Sequence, residues 1–134
     1  MQGSTDLGKL VLRVVLGVLI LFHGVSKLIL GPGYVLGVVA QAGLPSFIAY
    51  GVYIGEVVAP VLLILGLLAR LGAVIIAINM VVALALVHVS QLISLANTGG
   101  WALELQGMYL GTAIAIALLG AGRFSVGGSN GRWN

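Results

Sequence analysis

Residues 46–89 read SFIAYGVYIGEVVAPVLLILGLLARLGAVIIAINMVVALALVHV, an apolar run broken at Arg70-Leu71-Gly72. That break leaves room only for a tight turn. A span from about Ser46 to Ala69 and another from about Leu71 to Val89 must therefore lie side by side, antiparallel, as a helical hairpin. Each half is long enough for the roughly 20 apolar residues that a helix needs to cross a bilayer core.

The rest of the fold extends to either side of this hairpin. On the N-terminal side, Leu10 to Leu30 is apolar apart from Arg13, His23, Ser26 and Lys27, and it stops at Gly31-Pro32-Gly33, which cannot continue a helix. Tyr34 to Ala42 is too short to span and is expected to form a short interfacial or re-entrant helix before Gly43-Leu44-Pro45. On the C-terminal side Ser90 to Gly100 is polar and turn-rich, a fourth span follows, and residues 126–134 are rich in Gly, Ser and Asn and expected to be flexible. The expected fold class is all-α: one integral membrane domain, residues 1–125, with transmembrane helices at about 10–30, 46–69, 71–89 and 103–121. The charged start, apolar run and Ala40-Gln41-Ala42 imitate a secretory leader. The run is too long for one, and the small-residue site lies well past its end, so the first segment is expected to be a retained helix.

Composition agrees with lipid as the solvent: of 134 residues 60% are hydrophobic and 7% charged, with a formal net charge of +3. No basic patch exists to grip phosphates, so nucleic acid is not an expected partner. The absence of cysteine removes disulfides, thiolate metal sites and dithiol chemistry, so any redox role needs a bound cofactor. Lys9, Arg13, Arg70, Arg123 and Arg132 flank the spans on one side and Lys27 alone on the other, which predicts that both termini are cytoplasmic. Arg13 is expected to snorkel to the inner edge. Gly51, Gly55 and Ala59, and again Gly107, Gly111 and Ala115, repeat every fourth residue and are expected to form smooth packing ridges.

Each ionisable side chain inside the hydrocarbon costs at least about 2.5 kcal/mol on insertion scales, so each calls for a partner. By helical rise His23 lies about 20 Å from the inner start of its span and Glu56 about 15 Å from the outer start of its own. His88 ends the third span on that outer side, and Trp101, Glu104 and Gln106 open the fourth there. His23 and Lys27 share a helical face, so His23 is expected to stay neutral or to have Glu56 or Glu104 nearby. Glu56 precedes Pro60 by four residues, so its carbonyl loses its usual donor and a carboxyl and a freed carbonyl meet at an expected kink. It is the strongest candidate for ligand binding or proton handling, ahead of His23, Lys27, His88 and Glu104, with Tyr53, Trp101 and Gln106 secondary. Bland readings stand beside these: a snorkelling Lys27, a solvated His88, a first-turn acid at Glu104 favoured by the helix dipole, an interfacial-belt Trp101, and Asn79 bonding another helix. Spacing does not favour a metal site, and no haem or flavin motif is present.

Leu12-Arg13-Val14, Phe22-His23-Gly24-Val25-Ser26-Lys27, Ala42-Gly43-Leu44-Pro45, Gly55-Glu56, Leu65-Gly66-Leu67-Leu68-Ala69-Arg70-Leu71, Val87-His88, Glu104 and Leu118-Leu119-Gly120-Ala121-Gly122-Arg123-Phe124-Ser125 occur in order. Together they resemble the DoxX family of small four-helix membrane proteins, over about Leu10 to Ser125. The resemblance implies a polar cluster of His23, Lys27, Glu56, His88 and Glu104 in a bacterial-type inner membrane protein. Relatives are linked to a thiosulfate:quinone oxidoreductase or act as membrane partners of enzymes of thiol-stress defence, and many have no established activity. The leading expectation is a redox-associated subunit that binds a quinone or similar small apolar ligand, a part of an oxidoreductase and not a complete enzyme. The alternatives are a proton-coupled small-molecule transporter and a non-catalytic scaffold for a stress-response complex. Membrane lipid is an expected partner; a soluble or peripheral redox protein and a second copy of the chain are left open.

Overall fold

A computed structural model describes residues 2–134. The elements in chain order are α1 (Gln2–Leu30), α2 (Gly33–Gln41), α3 (Phe47–Tyr53), a π-helical turn (Ile54–Val58), α4 (Ala59–Leu65), α5 (Ala69–Val87), a 3₁₀ turn (Val89–Gln91) and α6 (Glu104–Leu119). α3, the π turn and α4 run on as one rod. α1, that rod and α5 are long and apolar enough to cross a membrane, whereas α6 has 16 residues, about 24 Å. Of the described residues none forms a strand; Leu95 and Trp101 make one isolated bridge.

α1 begins at Gln2 and not near Leu10, so its 29 residues extend about 43 Å, well beyond a hydrocarbon core of roughly 30 Å. The polar first turns stay helical because Asp6 is buried and meets the backbone N–H and the guanidinium of Arg123 at 3.4 and 3.6 Å. α2 is the short helix expected between the first two spans.

The core is a contiguous set from every long element: Leu16 and Ile20 of α1, Ala59 and Leu63 of α4, Ala73, Ile76 and Met80 of α5, and Tyr109, Ala113 and Ile116 of α6. Close helix-to-helix backbone approaches lie at Gly17, Gly24 and Gly72. A Cβ at Gly17 would stand 2.9 Å from the Pro60 carbonyl, one at Gly24 would collide with the Glu56 carbonyl, and one at Gly72 would come within 3.1 Å of the Ala59 carbonyl. Gly17 and Gly24 are two helical turns apart, so α1 presents one bare stripe to the second span. The ridges expected from sequence fare differently. Gly55 fits tightly against Asn79, Gly107 lies under the Trp101 ring, and Gly51 and Gly111 have nothing within 4 Å of a would-be Cβ.

The hairpin turn falls at Gly66–Leu68, four residues before the expected Arg70-Leu71-Gly72. Gly66 takes φ +71° and caps α4 by donating to Leu62 and Leu63, and Leu68 enters α5 at φ 49°. Arg70 is thus in the first helical turn of α5, and its guanidinium donates to the Ala117 and Leu118 carbonyls at the end of α6, at 3.0 and 2.9 Å. Arg13 does not snorkel. It is fully buried and donates to the carbonyls of Leu63 (2.7 Å), Ile64 (3.4 Å), Ala121 (3.0 Å) and Phe124 (2.6 Å). The last carbonyls of α4 lack the usual donor four residues on, Leu63 having only the cap N–H of Gly66, and a planar fork of N–H groups within reach captures them. Residues 126–134, expected to be flexible, fold back over this end: Val126 and Gly127 donate to Leu65 and Gly66, Trp133 accepts from Arg70 and Leu71, and the Asn134 side chain accepts from Ala69.

Arg13→Met is expected to lower stability by about 3 kcal/mol or more, because several buried carbonyls lose their donor together. Arg13→Lys is expected to cost less but still measurably, since an ammonium cannot reproduce the fork. Unfolding titrations in mixed micelles measure both; a Met variant as stable as the parent would show that Arg13 does not hold this end together.

Candidate functional site

The site grows out of the π turn. Pro60 has no N–H, so the helix cannot form its usual bond to the Glu56 carbonyl, and the chain adjusts by one residue: Ala59 N–H donates to Ile54, five residues back. The expected kink is thus an expanded turn. It buries Glu56 at 7% exposure, with its carbonyl facing Gly24 of α1 and its carboxylate turned between α1 and α5.

Two partners meet that carboxylate. Lys27 Nζ of α1 lies 2.5 Å from Oε2, and Asn79 Nδ2 of α5 donates to Oε1 at 3.3 Å. The Lys27 side chain is 27% exposed and that of Glu56 9%, so the pair sits at the edge of the buried interior. Lys27 therefore turns inward instead of snorkelling, and Asn79 bonds across to another helix. A pair this shielded adds little net stability, because the desolvation of two ions offsets their attraction, but removing one partner alone is costly.

Above the pair opens a cavity of about 470 Å³. His23, Lys27, Glu56, Asn79, His88 and Gln106 are on its wall with Tyr109, and the remainder is mainly aliphatic, contributed by α2, α3 and α5. His23 packs edge-on against the Tyr109 ring, with centroids 6.1 Å apart. His88 Nδ1 pairs with Gln91 Oε1 at 2.8 Å at the end of α5. The structure therefore gathers His23, Lys27, Glu56, His88 and Gln106 around one space.

The other sequence candidates stay outside it. Glu104 is exposed and folds back on Gly100, at the first turn of α6. Trp101 donates its indole N–H to the Leu92 carbonyl at 2.8 Å and rests on Gly107, so it staples the loop before α6. Tyr53 donates to the Lys27 carbonyl at 3.3 Å, which ties α3 to the end of α1. Asn79 is the site residue missed as a candidate; its signal was a lone amide in the apolar stretch between Leu71 and Val87. Among the described residues no group of three or more His, Cys, Asp or Glu is placed to hold a metal.

The DoxX model matches residues 8–89, which contain most of α1, the π turn, α5 and the Lys27–Glu56–Asn79 contact. The chain belongs to the DoxX family. It is 33% identical over 121 residues to a Bacillus subtilis (strain 168) protein named "Putative oxidoreductase CatD", an alignment covering 90% of this chain and 85% of that one. No solved structure matches.

For this DoxX protein a double-mutant cycle on Lys27→Met and Glu56→Gln is expected to show coupling of about 2 kcal/mol, with the double variant less damaged than the sum of the singles. Gly24→Ala, which must push α1 from the π turn, is expected to cost about 1–3 kcal/mol, while Gly111→Ala stays within about 0.5 kcal/mol of the parent. Thermal unfolding in one detergent checks the set, and additive Lys27 and Glu56 effects would remove the pair from the picture.

Proposed function

We propose that this protein is the membrane subunit of a quinone-linked oxidoreductase system, and that a quinone or similar small apolar carrier binds in the cavity with its ring against Lys27 and His23. The observation that carries this reading is the composition of the cavity: an aliphatic space of about 470 Å³ with an ammonium, a carboxylate and an amide at its base. Small-molecule sites have this make-up, apolar walls with a few convergent polar groups, at volumes of roughly 300–1,000 Å³. The name of the Bacillus subtilis relative supports a redox role.

The chemistry asked of the chain is modest. A quinone carbonyl accepts hydrogen bonds, and an ammonium has three donors, of which Glu56 engages one. Lys27 and the His23 imidazole donate to the carbonyl oxygens. Reduction to the hydroquinone takes two electrons and two protons. A soluble or peripheral redox partner delivers the electrons, and Glu56 relays protons to the donors beside the ring. The aliphatic wall keeps water away.

Quinone co-purifying in mild detergent, quantified by mass spectrometry at matched lipid load, is expected near one per chain for the parent and at least about tenfold lower for Glu56→Gln and His23→Ala. Background amounts in all of them would sink the reading.

We propose further that the end bearing Lys9, Arg13, Arg70, Arg123 and Arg132 faces the cytoplasm of a bacterial-type inner membrane, with the cavity toward the outer leaflet. The cysteine-free chain makes this simple to check. A membrane-impermeant maleimide is expected to label Thr98→Cys in intact spheroplasts and Ser129→Cys only after lysis; the reverse pattern would invert the orientation.

A further inference from the structure

The cavity has an opening on its side, at hydrocarbon depth. Ile78 and Val82, one turn apart on α5, line it and are 58% and 41% exposed, and Ile78 lies about 14 Å in from the end of α5. On the facing wall Gly51 of α3 also lines the cavity, is exposed, and has no atom within 4 Å of a would-be Cβ. The opening lies where α3 and α5 part, outward of the π turn. α5 packs along α4 and the π turn but makes little contact with α3, so the two spans diverge from Asn79 outward. α2 crosses the gap and touches both, with Val35 and Val38 on the cavity wall. The result is a lateral window, with Gly51 on one side, Ile78 and Val82 on the other and α2 across it.

We propose that the ligand is a membrane-dissolved redox carrier with a long alkyl or isoprenoid tail, that it enters through this window, and that its tail stays between α3 and α5 beneath α2 while its ring lies against Lys27. This rests on the quinone reading and adds the class of quinone. Two observations lead to it. A cavity of roughly 150 Å³ holds one benzene-sized ring, so about 470 Å³ takes a ring and the first part of a tail. The window residues Val35, Val38, Gly51, Ile78 and Val82 offer no side-chain hydrogen bond, so a polar substituent there would stay unpaired, whereas a hydrocarbon chain would not. Lipid tails are as apolar as these walls, so the tail gains by close contact and not by leaving water, and affinity must be counted per mole fraction in the bilayer.

The test uses nanodiscs of one phospholipid composition and two probes, a tail-less substituted benzoquinone and the same ring with a decyl tail ending in a diazirine. The parent is expected to prefer the tailed probe by about fivefold, and Gly51→Leu, which grows into open space, to bring the ratio to about one. Photolysis in the parent alone, independent of any variant's folding, is expected to label peptides around Val38, Ile78 and Val82. A ratio of one in the parent, a ratio unchanged by Gly51→Leu, or label confined to α1 and α6 overturns the proposal. Phospholipid is present in every arm, so a window that any acyl chain fills also gives a ratio of one. Binding of neither probe overturns the quinone reading itself, a result distinct from binding without preference.

Discussion

The Arg13 guanidinium is where α1, α4 and the chain after α6 are fastened together. A bilayer supplies no water to the orphaned carbonyls of a helix end, and a helix stopped by Gly66 within the bundle leaves several of them. Arg13 takes two from α4 and two from the segment after α6, and Arg70 does the same for the end of α6 itself. A guanidinium suits this task because its five donors lie in one rigid plane and stay charged at any working pH. Hence a buried cation here needs no carboxylate. The negative ends of two converging backbone segments stand in its place.

Fastening one end leaves the other free to spread. α4 follows α1 and α5 closely, with Ala59, Leu63 and Ala73 excluded from solvent, whereas beyond the π turn α3 departs from α5 and the core gives way to a cavity. Pro60 forces the expanded turn, and Gly24 lets α1 approach it, so the same two residues that shape the divergence also place Glu56 opposite Lys27. Packing and site are consequences of one backbone adjustment.

Much of this was legible in the sequence because its causes are local. Gly31-Pro32-Gly33 and Gly43-Leu44-Pro45 bracket α2 in any context, and the Glu56-to-Pro60 spacing announces a disturbed helix wherever it sits. What the sequence hid depends on partners far along the chain. Arg13 looks like an edge residue until Ala121 and Phe124 arrive beside it, 108 and 111 residues later. The start of α1 is polar by composition and helical because Asp6 finds Arg123. Helical rise fixes a residue's height in the bilayer and not its direction around the helix, so Glu104 stands level with the cluster yet is exposed and folds back on Gly100. Direction was also what the four-residue glycine rows left open. Gly111 points into open space, while Gly17 and Gly24, two turns apart, carry the close packing.

The ion pair and the window are suited to each other for an electrostatic reason. A single buried charge would hold water in the cavity or require an anionic ligand to follow it. Lys27 and Glu56 compensate each other at 2.5 Å, so the cavity base is polar without net charge, and a neutral ligand can approach from hydrocarbon with no ion to bring along. The spare donors of the ammonium are directed by the same contact that neutralises it, and Asn79 holds the carboxylate from the far side. Under the function proposed, such a base would discriminate by the placing of hydrogen-bond donors, a form of recognition open to a molecule that never leaves the membrane.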